Sequence, residues 1–239
     1  MAIFLKAYWE DLIMANYAVP PEVLYPLLPA GTTLDLYNGN AVVSLVGFMF
    51  RNTRLFSLPI PLLGTFEEIN LRFYVQRKEK EQTKRGVVFI NETVPHRLVA
   101  FVANTLYREH YTAVKTRSSK RTNNDRQQIA YEWKSKERWN RIAVEADSMP
   151  APMPAGSMEE FIFEHYWGYT RISNHTTEEY QVIHPRWEVY PVNSCQVDCD
   201  FDTMYGAPFS LLRQQAPLSV FLAKGSAVAV DWKRNRFHV

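Results

Sequence analysis

The sequence predicts an α+β chain made mostly of antiparallel strands, and three observations lead there. Apolar and polar residues alternate through many short runs, the period-two pattern of strands with one buried face. Asn38-Gly39 lies between two such runs, and both residues tolerate the positive φ of a tight hairpin turn. Helical patterns are few and do not alternate regularly with strands, so a parallel β-α-β sheet is not expected. The 239 residues are read as one domain, 1–239, because antiparallel barrels and sandwiches often reach this length as a single unit.

Taken in order, residues 12–19 read as a strand. Pro20-Pro21-Glu22 opens a short helix through Leu28, proline being favoured in a first helical turn. Residues 32–37 and 41–50 flank the Asn38-Gly39 turn, and Pro59 and Pro61 mark a loop. The clearest strand is 66–76, with Ile69, Leu71, Phe73 and Val75 on one face and Glu68, Asn70, Arg72 and Tyr74 on the other. A charged turn over 77–85 leads to a strand at 87–91. Residues 97–107 fit a helix or a strand, since periodicity does not decide for such a segment. The basic stretch 116–126 is expected to be a mobile loop, followed by strands at 129–134 and 138–146. Ser157 caps a helix with Glu160 three residues on, the capping-box spacing. Strands resume at 168–172, 180–184, 188–197, 217–223 and 227–232.

Composition narrows the function classes. The chain is 46% apolar, 14% aromatic and 22% charged, which is ordinary for a folded protein. A net charge of +2 gives no pull toward nucleic acid, and the basic 116–126 stretch lacks interleaved aromatics for base stacking. The longest uncharged run, 36–50, is too short for a membrane span of about 20 residues. Glu10 and Asp11 come too early for a signal peptide, so a cytoplasmic location is expected. No phosphate-binding glycine loop and no G-x-S-x-G elbow occurs. Cys195 and Cys199 stand alone without the second pair a zinc site needs, and are read as reduced. Asp198, Asp200 and Asp202 read as a solvent edge. No metal and no cofactor is expected.

Three stretches, taken together, resemble the acetoacetate decarboxylase-like superfamily. They are Tyr17-Ala-Val-Pro-Pro-Glu-Val-Leu-Tyr-Pro-Leu-Leu-Pro-Ala-Gly31, Leu63-Gly-Thr-Phe-Glu-Glu68, and Arg108-Glu109 followed by Lys115. Glu68-x-Asn70-x-Arg72-x-Tyr74-Val75, Phe163-Glu-His-Tyr-Trp-Gly-Tyr169 and His184-Pro-Arg-Trp187 are most similar to its YqjF-like branch. The resemblance covers nearly the whole chain. It implies a cone-shaped antiparallel β-barrel around a pocket, with Lys115 as a Schiff-base lysine for a keto acid and Glu68 as an active-site acid. Asn70, Arg72, Tyr74, Arg108, Glu109, Tyr111 and His165 are the residues expected to bind the substrate.

Two residues depart from that pattern. Thr116 stands where the decarboxylases have a second lysine, and Glu10 where they have an arginine. A Schiff-base lysine is activated by desolvation or by a neighbouring cation, as in acetoacetate decarboxylase. Arg117 is the available substitute cation. The expectations are therefore an enzyme acting on a small carbonyl compound through Lys115, or a non-catalytic small-ligand-binding protein on the same barrel. A small molecule is the expected partner, without nucleic acid or membrane, and a homo-oligomer is compatible with the sequence.

Overall fold

The computed structural model describes residues 3–59, 63–107 and 110–238. Seven strands pair in the order Ser219–Asp231, Ile3–Val19, Ala41–Leu55, Phe66–Glu79, Gln82–Val94, Trp167–Ser173 and Thr176–Ile183. Val182 and Ile183 then pair with Val230 and Ala229, which closes the ring. Every step is antiparallel except Gln82–Val94 to Trp167–Ser173, a short parallel contact of Gly86 with Trp167 and Val87 with Gly168. Glycine is required there: a Cβ on Gly86 would lie 2.5 Å from the Trp167 carbonyl oxygen.

A second sheet of Thr116–Thr122, Arg126–Ser135, Arg138–Asp147 and Val192–Asp198 lies against the outside of this ring. The Phe66–Glu79 strand is shared between the two interiors because successive side chains point to opposite faces. Ile69, Leu71, Phe73 and Val75 pack with Ile129, Tyr131, Trp133 and Ile142 of the second sheet. Tyr74 and Phe66 face the ring interior with Met14, Val46, Phe48 and Phe50.

The fold class is as the sequence predicts, mostly antiparallel strands with a few short helices. Several local expectations change. The first strand starts at Ile3, and residues 20–28 form two 3₁₀ turns, Pro21–Val23 and Tyr25–Leu27. Asn38 and Gly39 take positive φ at a tight turn. However, the residues before it pair elsewhere: Thr33 and Leu34 meet Gln76 and Val75. The charged 77–85 segment is mostly strand, with only Lys80 and Glu81 turning. Residues 97–107 are helix. Thr116–Thr122 is an edge strand rather than a loop. It reads as loop because edge strands carry charge to block further pairing, and that charge hides the alternation. Residues 188–197 split at Pro191 into strands of different sheets, whereas 217–223 and 227–232 merge into Ser219–Asp231 across Gly225, whose φ is +78°. Ser157 caps Met158–Phe163 by accepting from the Glu160 amide at 3.2 Å, while Glu160 accepts from the Gly156 amide at 2.6 Å. Pro61 lies outside the described residues.

Candidate functional site

The polar face of Phe66–Glu79 opens onto a cavity of about 230 Å³ inside the ring. Its walls are mainly apolar: Trp9, Leu12, Val46, Phe48, Phe50 and Phe66 from the sheet, with Leu98, Val99, Val102 and Ala103 from the Arg97–Tyr107 helix laid across it. Into this lining project Glu68, Asn70, Arg72, Glu92 and Tyr111.

Glu68 is 3% exposed, and both of its carboxylate oxygens are bonded. Its Oε1 accepts from Asn70 Nδ2 at 3.1 Å and its Oε2 from the Tyr111 hydroxyl at 3.1 Å. Register brings Glu92 opposite Asn70 and, through a parallel pairing, beside Tyr111. Glu92 thus stands close enough to the Tyr111 phenol for its charge to act on it. Burial first, and then the charges of both glutamates, push the Tyr111 phenol well above its ordinary value, so it stays protonated as a donor. Asn104 fixes Tyr111 by bonding its backbone at both ends, accepting from the amide at 2.7 Å and donating to the carbonyl at 2.9 Å. The helix over the cavity is thereby tied to the polar cluster beneath it.

Arg72 follows on the same strand face and is 9% exposed. One guanidinium nitrogen reaches only the sulfur of Met14, at 3.6 Å, and the Tyr74 ring lies 5.8 Å away. Its Nε has no hydrogen-bond partner among the described residues.

Tyr74 and His165 lie beyond the cavity lining, in the layer behind Arg72. The Tyr74 hydroxyl is 2.6 Å from Ser44 Oγ, which donates to Asn16. The His165 ring stands 4.8 Å from that of Tyr74, and its Nε2 is 3.1 Å from Asp35 Oδ2. Arg85 donates to the same oxygen at 2.6 Å. Burial lowers the His165 pKa, against the pull of Asp35, so the ring is neutral near pH 7. Burial works to raise Asp35, but the hydrogen bonds from His165 and Arg85 outweigh it and hold the carboxyl below its ordinary value.

Lys115 lies elsewhere. It is exposed, does not line the cavity, and its backbone carbonyl accepts from the Lys134 amide at 2.9 Å. The adjoining Thr116 and Ser118 donate to Glu67, which alternation puts on the opposite strand face from Glu68. Arg117 is bonded to Glu132 and stacked over Trp139, away from the cavity lining, and Glu10 is paired with Arg51. Arg108 and Glu109 lie outside the described residues. Glu92 was not singled out from sequence. Its signal is an acid inside the apolar run Val87-Val-Phe-Ile-Asn-Glu92-Thr-Val94. No cluster of three or more His, Cys, Asp or Glu able to hold a metal occurs among the described residues. Nor, among them, is any helix long and apolar enough to cross a membrane.

The family of uncharacterised conserved proteins called DUF2071 matches residues 6–227. The chain belongs to this family. DUF2071 membership agrees with a 29% identity over 222 residues to the uncharacterised protein YqjF of Bacillus subtilis, covering 92% of this chain and 88% of that one. The fold of this DUF2071 chain is similar to an acetoacetate decarboxylase-like enzyme from Sphingomonas wittichii, with a TM-score of 0.67 and 10% identity over 100% of this chain and 94% of that one. It is also similar to the acetoacetate decarboxylase of Legionella pneumophila, with a TM-score of 0.63 and 13% identity over 96% of this chain and 84% of that one. At such identities the likeness is one of fold.

Proposed function

We propose that this DUF2071 chain binds a small molecule in the cavity within its strand ring, and does so without a covalent lysine adduct. The observation that carries this is the composition of the lining, which combines large apolar walls with Glu68, Asn70, Arg72, Glu92 and Tyr111, and has no lysine among its described residues. Ligand sites are generally of this kind, apolar with a few convergent polar groups. Each methylene moved from water into such walls contributes about 0.8 kcal/mol, so apolar bulk supplies affinity and the polar row supplies orientation.

A Schiff-base reading through Lys115 has less support. Such a lysine needs burial or a close cation to become a nucleophile, and Lys115 is exposed, with its candidate helper Arg117 bonded to Glu132. Glu68 keeps a role in this proposal as a fixed acceptor at one end of the cavity, held by Asn70 and Tyr111.

Borohydride trapping separates the two readings. The purified chain, incubated with a panel of small keto acids and sodium borohydride, is expected to gain no mass at Lys115. Thermal-shift screening of the same preparation against apolar acids and neutral aromatics is expected to give stabilising hits. A reduced adduct lost in Lys115→Ala would sink the non-covalent reading and restore the Schiff base.

A further inference from the structure

We propose that Arg72 is the anion anchor of this cavity and that the ligand it awaits is an apolar monocarboxylate, such as an aryl- or alkyl-carboxylic acid. The inference rests on the cavity being the binding site. Arg72 lines it, is nine-tenths buried, and makes no ion pair with a carboxylate among the described residues. Other largely buried cations here are paired: Arg77 and Lys84 hold Glu179, and Arg234 holds Glu178.

Among the described residues no carboxylate touches the guanidinium. The guanidinium meets a thioether and a phenol ring, those of Met14 and Tyr74. The two histidines whose titration feels its charge, His165 and His184, are both lowered, by burial first, and so are neutral near pH 7. A buried guanidinium without a direct partner is costly, and a carboxylate is a group whose two oxygens match its planar fork.

The remaining lining fixes the rest of the ligand. Glu68 and Glu92 share the cavity, so a second negative charge, as on a phosphate, would meet repulsion. Glu68 lies four residues from Arg72, about 13 Å along the strand, and Glu92 sits opposite Asn70 rather than Arg72, so one carboxylate can lie on the guanidinium without contacting Glu68. The apolar walls of the cavity include Leu12, Val46, Phe48 and Phe50. A cavity of about 150 Å³ holds benzene, and the 230 Å³ here accommodates an aromatic ring with a short acid arm.

Calorimetric titration of the full chain with 3-phenylpropanoate, 3-phenylpropanamide and inorganic phosphate tests this. The acid is expected to bind roughly tenfold or more tighter than the amide, because the amide leaves the charge unpaired. Arg72→Met is expected to bind acid and amide equally, and Arg72→Lys to keep part of the preference. An acid no tighter than its amide, phosphate tighter than the acid, or an acid preference surviving in Arg72→Met would each overturn the anchor while leaving the cavity as a site. If Arg72→Met does not fold, the wild-type ratio and Arg72→Lys decide. Absence of binding by acid, amide and a neutral aromatic such as toluene would overturn the cavity reading, and the anchor with it.

Discussion

Two buried charge clusters in this molecule are built on opposite principles. Around Glu178 and Glu179, each 2% exposed or less, every acid meets two cations. Glu179 accepts from Arg77 at 2.7 Å and from Lys84 at 2.8 Å, and Glu178 from Arg234 and Arg236, both at 2.7 Å. Arg236 lies in the strand Asn235–His238, so this cluster ties the end of the chain to the Thr176–Ile183 strand. Arg72 is buried too, and has no such partner among the described residues. Removing one partner of a neutralised buried cluster leaves an uncompensated charge, whereas a buried charge without a partner already carries that cost in the folded state.

The difference predicts opposite signs for superficially similar mutations. Glu179→Ala removes the buried acid that Arg77 and Lys84 share and leaves them only the more exposed Glu79, and is expected to cost about 3 kcal/mol by denaturant unfolding. Arg72→Met removes a charge that has no carboxylate partner among the described residues and leaves an apolar side chain of similar length. It is expected to raise the stability of the ligand-free protein by roughly 1–2 kcal/mol. If Arg72→Met instead destabilises as Glu179→Ala does, Arg72 has a partner that neutralises it and the contrast between the clusters collapses.

How much of this was legible beforehand follows from how local each signal is. Glu68, Asn70 and Arg72 fall on one strand, so alternation alone collected them. Glu92 joins them only through register, and that register shifts at a bulge between Leu71 and Arg72, so that Asn70 faces Glu92 but Arg72 faces Phe89. Pairing across strands leaves no mark in the spacing of residues along either one. Lys115 shows the reverse case. Its spacing from Arg108-Glu109 was plain in the sequence, yet it precedes an edge strand on the outer sheet. A short motif carries residue types but not the face of the sheet on which they fall.

Acid titration sharpens the comparison at a third point, the His165–Asp35–Arg85 group behind Arg72. The folded pKa of His165 lies below its ordinary value, chiefly through burial. The unfolded chain therefore binds the proton first, and the stability contributed by the neutral ring is complete above the unfolded pKa near 6.5. It is lost as the pH falls toward the folded value. Asp35, also lowered, adds a second loss at more acid pH, below its ordinary 3.8. The midpoint of thermal unfolding should thus fall as pH drops from about 7 to about 5, and fall less in His165→Gln. His184, lowered by burial as well, keeps a residual slope in that variant. An unchanged slope would mean that His165 is not the group taking up the proton.

The smallest expected effect belongs to the lysine that the sequence made most conspicuous. Lys115→Ala removes an exposed side chain that has no part in the cavity lining. Its backbone bond to Lys134 survives the substitution, because it uses the carbonyl oxygen. Stability should stay within about 0.5 kcal/mol of wild type, the usual range for exposed positions. Affinity for 3-phenylpropanoate should not change, since the exposed ammonium lies outside the lining that holds the acid. A loss of affinity in Lys115→Ala comparable to that in Arg72→Met would draw Lys115 into the site, and would require the chain beside it to move toward Glu68 when ligand binds. Equal affinity with intact stability would leave Arg72 as the cation that distinguishes this cavity, and the lysine as an exposed residue beside the outer sheet.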